Sequence, residues 1–126
     1  MWTDDYIGIP YQELGRGPDT YDCLGLFVAL QRERHGRVIF DPLCLASVAA
    51  RRKLAASAKH AWTPERVASE GDALLFEVRG MPLHVGYALD GRLMLHTSQD
   101  TGEVVIEDFK SPAWGDRLEG VYSYAA

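Results

Sequence analysis

The hydrophobic and polar positions of this chain fall into three stretches with different periods. The first twenty-two residues carry no sustained period, and Gly8, Pro10, Gly15, Gly17 and Pro18 punctuate them, which predicts a loop-rich lead-in without a long helix. From Asp22 to His35 the residues Cys23, Leu26, Phe27 and Leu30 recur at helical spacing. Arg32, Glu33 and Arg34 form a polar end and Gly36 supplies a stop, so a helix is expected to open at or just after Asp22. Leu43 to Lys59, rich in Ala, Leu, Arg and Lys, predicts a second helix, and Thr63-Pro64-Glu65-Arg66 reads as a capped short helical turn. After Gly71-Asp72 the period shortens to two. Ala73 to Val78, Leu83 to Leu89, Arg92 to Thr97, Glu103 to Phe109 and Gly120 to Tyr124 are the expected strands. Helices followed by strands predict an α+β domain, with N-terminal helices packed on one face of an antiparallel sheet of about five strands. No internal repeat or low-complexity tract interrupts the pattern.

Composition narrows the picture. A length of 126 residues with 47% hydrophobic and 25% charged side chains fits one ordinary domain, expected to run over residues 1–126. Such a chain buries roughly two-thirds of its unfolded surface and needs no disulfide or metal to fold. Two cysteines are too few for a disulfide framework, and four histidines without close Cys/His spacing make no zinc module, so no metal is expected. Thirteen basic against 18 acidic residues give a net charge of -5, which argues against nucleic acid as a partner. The run Arg51-Arg52-Lys53 reads as a solvated face. The opening Met1-Trp2-Thr3-Asp4-Asp5 resembles no signal peptide, and no apolar run approaches the ~20 residues of a membrane span. The expectation is a protein made in the cytoplasm that acts elsewhere only after lysis, by dedicated export, or as part of a larger particle.

Candidate chemistry centres on Cys23. A thiol at a helix start meets unpaired backbone N–H groups and the positive end of the helix dipole, which favour a thiolate and therefore a nucleophile. The alternative is a small residue facing the core. Cys44, inside Pro42-Leu43-Cys44-Leu45-Ala46, reads as inert filling. Along Leu83 to Leu89, His84 shares its face with Gly86 and Ala88, a small face onto which the Cys23 helix is expected to pack. In the next strand His96 shares a face with Met94 and Arg92. A two-residue turn at Asp90-Gly91 would put the two histidines on opposite faces. A three-residue loop, Leu89-Asp90-Gly91 with Gly91 left-handed, pairs His84 with His96 and Ala88 with Arg92, and sets Val85 and Tyr87 opposite Leu95 and Leu93; burial favours this register. The two histidines are then expected to face Cys23. Cys23 would attack a carbonyl, His84 would accept and return its proton, and His96 would orient His84. A single strand histidine is more often a satisfied core or surface group than a catalyst, and that reading stands beside this one for each of the two. His35 reads as a dipole partner at a helix end and His60 as a surface residue.

These residues resemble the NlpC-type cysteine peptidases, which cut bacterial cell-wall peptides on a compact papain-like fold. The resemblance runs from Tyr6 to Ser98. It rests on Gly8-Ile9-Pro10-Tyr11, Gly15, Gly17 and Pro18, then Asp22-Cys23-Leu24-Gly25-Leu26, then Gly71-Asp72-Ala73-Leu74-Leu75-Phe76 and His84-Val85-Gly86-Tyr87, with His96 twelve residues on. By that resemblance Cys23, His84 and His96 are the catalytic residues, and Tyr11 brings its hydroxyl near Cys23 as support for the thiolate or the oxyanion. Asp22 caps the nucleophile helix, and Gly25 lets that helix pack closely. The same side chains would serve as an aromatic core residue and an ordinary cap in a protein without this chemistry. Where the family usually carries Ser after the nucleophile this chain has Leu24, similar to short members found in bacteriophage tails.

The resemblance implies a peptidoglycan hydrolase that cleaves stem peptides through a Cys23 thioester, without a cofactor, at the family's usual bond between D-glutamate and the following diamino acid. It further implies a place in a phage or prophage tail, acting at the host cell wall beside tail-tip proteins. Two other readings stand: a tail structural or assembly protein with little or no activity, and a related amidase or acyl-transferase, since the acceptor is not legible in sequence.

Overall fold

The structure is a computed structural model that describes residues 1–39, 62–78 and 81–124. The expected second helix, Cys44, the Arg51-Arg52-Lys53 run and His60 lie outside the described residues. A short 3-10 turn, Trp2–Asp5, opens the lead-in. Helix α1 spans Cys23–His35. Six strands follow: β1 Trp62–Glu65, β2 Ala73–Val78, β3 Met81–Ala88, β4 Leu93–His96, β5 Val105–Asp108 and β6 Leu118–Tyr124, with a one-turn helix α2, Pro112–Gly115, between the last two. The strands form one antiparallel sheet in the order β1-β6-β2-β3-β4-β5. This is the α+β architecture expected, with one described long helix and one strand more than anticipated.

Helix α1 starts and stops where its chemistry dictates. Asp22 is extended, and its carboxylate accepts from the backbone N–H of Gly25. At the far end Gly36 turns left-handed at φ 66°, and its N–H returns to the carbonyl of Arg32. Pro64 was expected to open a helical turn, but residues 62–65 form β1 instead. Among the described residues β1 is the outer strand beside β6, and an edge strand is where a proline, which has no N–H to donate, is tolerated in a sheet. Trp62 packs on Phe27 and Tyr124, and that burial outweighs local turn preference.

The sheet has a covered layer on each side. On one, Leu26, Phe27, Ala29 and Leu30 of α1 pack on Ala73, Val85, Tyr87 and Leu95. On the other, Leu74, Phe76, Ala88, Met94 and Val121 pack with Phe109 and Trp114. Burying each large apolar side chain contributes about 1.5–3 kcal/mol, so both layers are needed. The small face of β3 does not receive α1, contrary to expectation. A Cβ on Gly86 would lie 2.7 Å from the Met94 sulfur and 3.6 Å from the Phe76 ring, so side chains of the second layer fill that space. The helix lies on the Val85 and Tyr87 side.

The β3–β4 hairpin pairs Tyr87 with Leu95 and Ala88 with Met94, two residues beyond the expected register. A shift of two leaves every side chain on its expected face. The turn is closed by Leu89 N–H on the Leu93 carbonyl, and by the Asp90 carboxylate, which accepts from Arg92 N–H at 2.8 Å and Leu93 N–H at 2.7 Å. Gly91 is not left-handed; this side-chain turn replaces the glycine conformation.

Gly25 is a point of close approach, to a different neighbour from the one expected. A Cβ there would sit 2.0 Å from the carbonyl oxygen of Gly15, which is backbone and cannot swing aside. Gly25→Ala is expected to lower stability by about 1–3 kcal/mol through overpacking. Thermal unfolding of the two proteins checks this, and an unchanged midpoint would contradict it.

Candidate active site

The loop that precedes α1 is wrapped around the helix start. Asp22 Oδ1 accepts from Gly25 N–H and from the Arg16 guanidinium, both at 2.7 Å, and Oδ2 accepts from Leu14 N–H at 3.0 Å. Leu14 is held in the left-handed region at φ 65°, a conformation that costs free energy for a residue with a branched side chain. Arg16 also donates to the Gly15 carbonyl. Tyr11 lies in the segment beside Tyr21: Gln12 N–H donates to the Tyr21 carbonyl at 3.0 Å, Tyr21 N–H to the Pro10 carbonyl at 3.2 Å, and Tyr11 N–H to the Gly102 carbonyl at 2.9 Å. Tyr11 and Tyr21 form a parallel bridge. The segment carrying Tyr11 therefore runs alongside the two residues that lead into Cys23.

Cys23 is half-buried as a residue. It packs at the border of the layer between α1 and the sheet. Backbone N–H groups of Leu24 and of Val85, the residue after His84, face its sulfur. β3 and β4 pair only at Tyr87 and Ala88, so towards His84 the β3 backbone is free of β4. Burial pushes the thiol up to about 11, and the Asp22 charge pushes in the same direction, against the N–H groups and Arg16. This corrects the expectation from helix position. The dipole and its N–H groups are present, but removing the sulfur from water outweighs them.

His84 and His96 meet. The two rings are fully buried, and His84 Nε2 lies 2.8 Å from His96 Nδ1. They lie on one face, as expected, although the register sets them diagonally rather than directly opposite. That face is the one away from α1: His84 stacks on Trp114 with ring centres 5.1 Å apart, and the Phe76 ring lies 5.8 Å away. Cys23 thus comes to the strand from the helix side, at the backbone next to His84, rather than standing directly before the two rings. His84 Nδ1 is buried without a hydrogen-bond partner. Burial, with some help from His96, pulls the His84 pKa down to about 3, and burial also lowers that of His96 despite a neighbouring carboxylate.

That carboxylate belongs to Glu107, which no motif in the sequence singles out. His96 Nε2 lies 2.9 Å from Glu107 Oε1, and the Trp114 indole N–H donates to Glu107 Oε2 at 3.1 Å. The available signal was a carboxylate on the strand after His96. Using it required the β4–β5 register, in which Met94 faces Glu107 and His96 faces Val105. His35 also differs from expectation. Its Nε2 bonds the Tyr87 hydroxyl at 2.8 Å, and burial lowers its pKa, so it ties α1 to β3 as a neutral ring rather than serving as a charge at the helix end.

Among the described residues no group of three or more His, Cys, Asp or Glu side chains could hold a metal ion, and no helix is long and apolar enough to cross a membrane. With the thiol raised and His84 lowered, both groups are neutral at pH 7 in the free protein. Alkylation of Cys23 by iodoacetamide, followed by mass spectrometry of its peptide, is expected to rise steadily above pH 8. A plateau reached between pH 5 and 8 would instead reveal a resting thiolate.

Comparison with known proteins bears on this geometry. The NlpC/P60 family matches residues 8–123. No curated protein matches. Among solved structures, the NlpC/p60 domain of the peptidoglycan hydrolase SagA has a TM-score of 0.68 at 26% identity, covering 96% of this chain and 92% of that one. A protein from Staphylococcus aureus described as similar to a lipoprotein of the NLP/P60 family has a TM-score of 0.70 at 24% identity, covering 98% of this chain. This chain spans 40% of that protein's length. The P60 domain of an antigen from M. avium subspecies paratuberculosis has a TM-score of 0.61 at 19% identity over 98% of this chain and 88% of that one, a likeness of fold. With a family match that runs from the lead-in loop through the last strand, the chain belongs to the NlpC/P60 family.

Proposed function

We propose that this protein acts as one catalytic domain that hydrolyses peptidoglycan stem peptides, at the bond between D-glutamate and the following diamino acid, through a thioester on Cys23. The observation that carries this reading is the state of His84. One ring nitrogen is taken up by His96, and the other, Nδ1, is buried, unpartnered and one residue from the backbone amide that faces the Cys23 sulfur. A buried polar atom left without a partner costs free energy, and a catalytic role is one of the reasons such an atom is retained.

In this mechanism the Cys23 sulfur attacks the scissile carbonyl carbon while His84 Nδ1 takes the thiol proton. The sulfur–carbon bond forms, and the carbonyl oxygen gains the electron pair. The Tyr11 hydroxyl supports that oxygen. When the tetrahedral species collapses, His84 returns the proton to the departing amine nitrogen and the thioester remains. Water, deprotonated by the same Nδ1, then releases the acid product and restores the thiol. Both starting groups are neutral, so proton transfer accompanies attack rather than preceding it. Catalytic hydrogen bonds commonly tighten only when substrate is bound, and this reading requires the Cys23 thiol and the His84 ring to come within hydrogen-bond distance in that complex.

Leu24 supports a narrower assignment to the phage-tail members of the family, with tail-tip proteins as partners and the host cell wall as the site of action. Mass spectrometry of purified virions checks it, and the protein's absence from them would remove it.

Incubation of defined muropeptides with wild type, Cys23→Ala and His84→Ala tests the main reading. Wild type is expected to yield fragments cut after D-glutamate. Cys23→Ala should yield none, and His84→Ala should be slower by about 100-fold to 10,000-fold. Cleavage by folded Cys23→Ala would overturn the nucleophile, and fragments cut elsewhere would overturn the bond.

A further inference from the structure

We propose that Glu107 is a positioning residue that sets the proton position on His84 from two rings away, and that Trp114 fixes the orientation Glu107 needs to do so. The inference rests on the peptidase reading and names a residue that reading does not use. Its basis is a line of three hydrogen bonds: His84 Nε2 to His96 Nδ1 at 2.8 Å, His96 Nε2 to Glu107 Oε1 at 2.9 Å, and Trp114 Nε1 to Glu107 Oε2 at 3.1 Å.

Donor and acceptor roles along this line are not free. A carboxylate only accepts, and an indole N–H only donates. Glu107 Oε1 therefore requires the proton of neutral His96 on Nε2. His96 Nδ1 is then a lone pair, which accepts from His84 and requires the His84 proton on Nε2. That leaves His84 Nδ1 as the bare lone pair, the atom that accepts the Cys23 proton. Both histidines are buried and share the face covered by Trp114, with ring centres 5.1 Å and 4.9 Å from the indole. The last acceptor in the line thus decides whether the first ring is a base or a donor.

The geometry makes the amide variant informative. In Glu107→Gln the single oxygen has two claimants. The Trp114 N–H can only donate, so it takes that oxygen, and the amide NH2 is left facing His96 Nε2. His96 must then carry its proton on Nδ1, which puts the His84 proton on Nδ1 and removes the base. Replacing Trp114 by Phe keeps a ring over His84 but removes the N–H, and the amide can turn its oxygen to His96.

Long-range proton–nitrogen NMR of the histidine rings reads the proton position directly, without turnover. His84 is expected to carry its proton on Nε2 in wild type, on Nδ1 in Glu107→Gln, and on Nε2 again in Glu107→Gln/Trp114→Phe. In muropeptide cleavage Glu107→Gln is expected to lose about 100-fold in kcat with KM within about twofold, and the double variant to recover about tenfold of that loss. The same His84 tautomer in wild type and Glu107→Gln would overturn the proposal, as would a double variant no faster than the single. If Glu107→Gln does not fold, wild type alone decides, since a proton on His84 Nδ1 contradicts the proposal. Tautomers as expected in a wild type that cleaves no muropeptide would overturn the peptidase reading while supporting the role of Glu107.

Discussion

A single carboxylate organises the nucleophile end of the molecule. Asp22 receives two backbone N–H groups and a guanidinium, from Leu14, Gly25 and Arg16. One bond caps α1, one holds Leu14 in a backbone conformation it would not choose, and the ion pair draws Arg16 over the join. Hydrogen bonds to a charged group are worth about 1.5–3 kcal/mol each, enough to offset the cost of the strained leucine. Because these contacts are made by the residue directly before Cys23, the position of the thiol is inherited from them.

β3 carries this order across the molecule. Its Val85 and Tyr87 side chains meet α1, and its His84, Gly86 and Ala88 face the second layer. At the far end of the helix, Tyr87 joins His35 and Glu70, and Arg34 pairs with the same Glu70. Gln31 donates to the carbonyl of Gly71 as the chain enters β2. The helix is therefore fastened to the sheet near its C-terminus by polar contacts and along its length by apolar ones. Its first residue has little freedom to drift from the strand.

The parts of this arrangement that were legible in sequence are those set by neighbours in the chain. Helix α1, its Asp22 cap and its Gly36 stop follow from local chemistry, and the strands after Gly71 follow from alternation to within a few residues. The faces of His84 and His96 were readable for the same reason. The hairpin register was not, because the Asp90 side chain, rather than glycine conformation, closes the turn. β1 was hidden because its partner, β6, is nearly sixty residues away. Glu107 and Trp114 join the histidines only through the β4–β5 pairing and the turn of α2. The thiol's preference for neutrality depends on enclosure by residues from β3, which helix position alone does not reveal.

Pro64 has a bearing on the behaviour of the folded protein in company with its own copies. Among the described residues β1 is one rim of the sheet, with a row of backbone groups turned away from β6. Such a rim is a template on which another extended chain can add, and long flat rims are where sheet proteins begin to aggregate. A four-residue strand with an imino acid at its third position offers an incoming strand too few donors to build on. The residue that made this segment look unlike a strand also takes one N–H donor out of it.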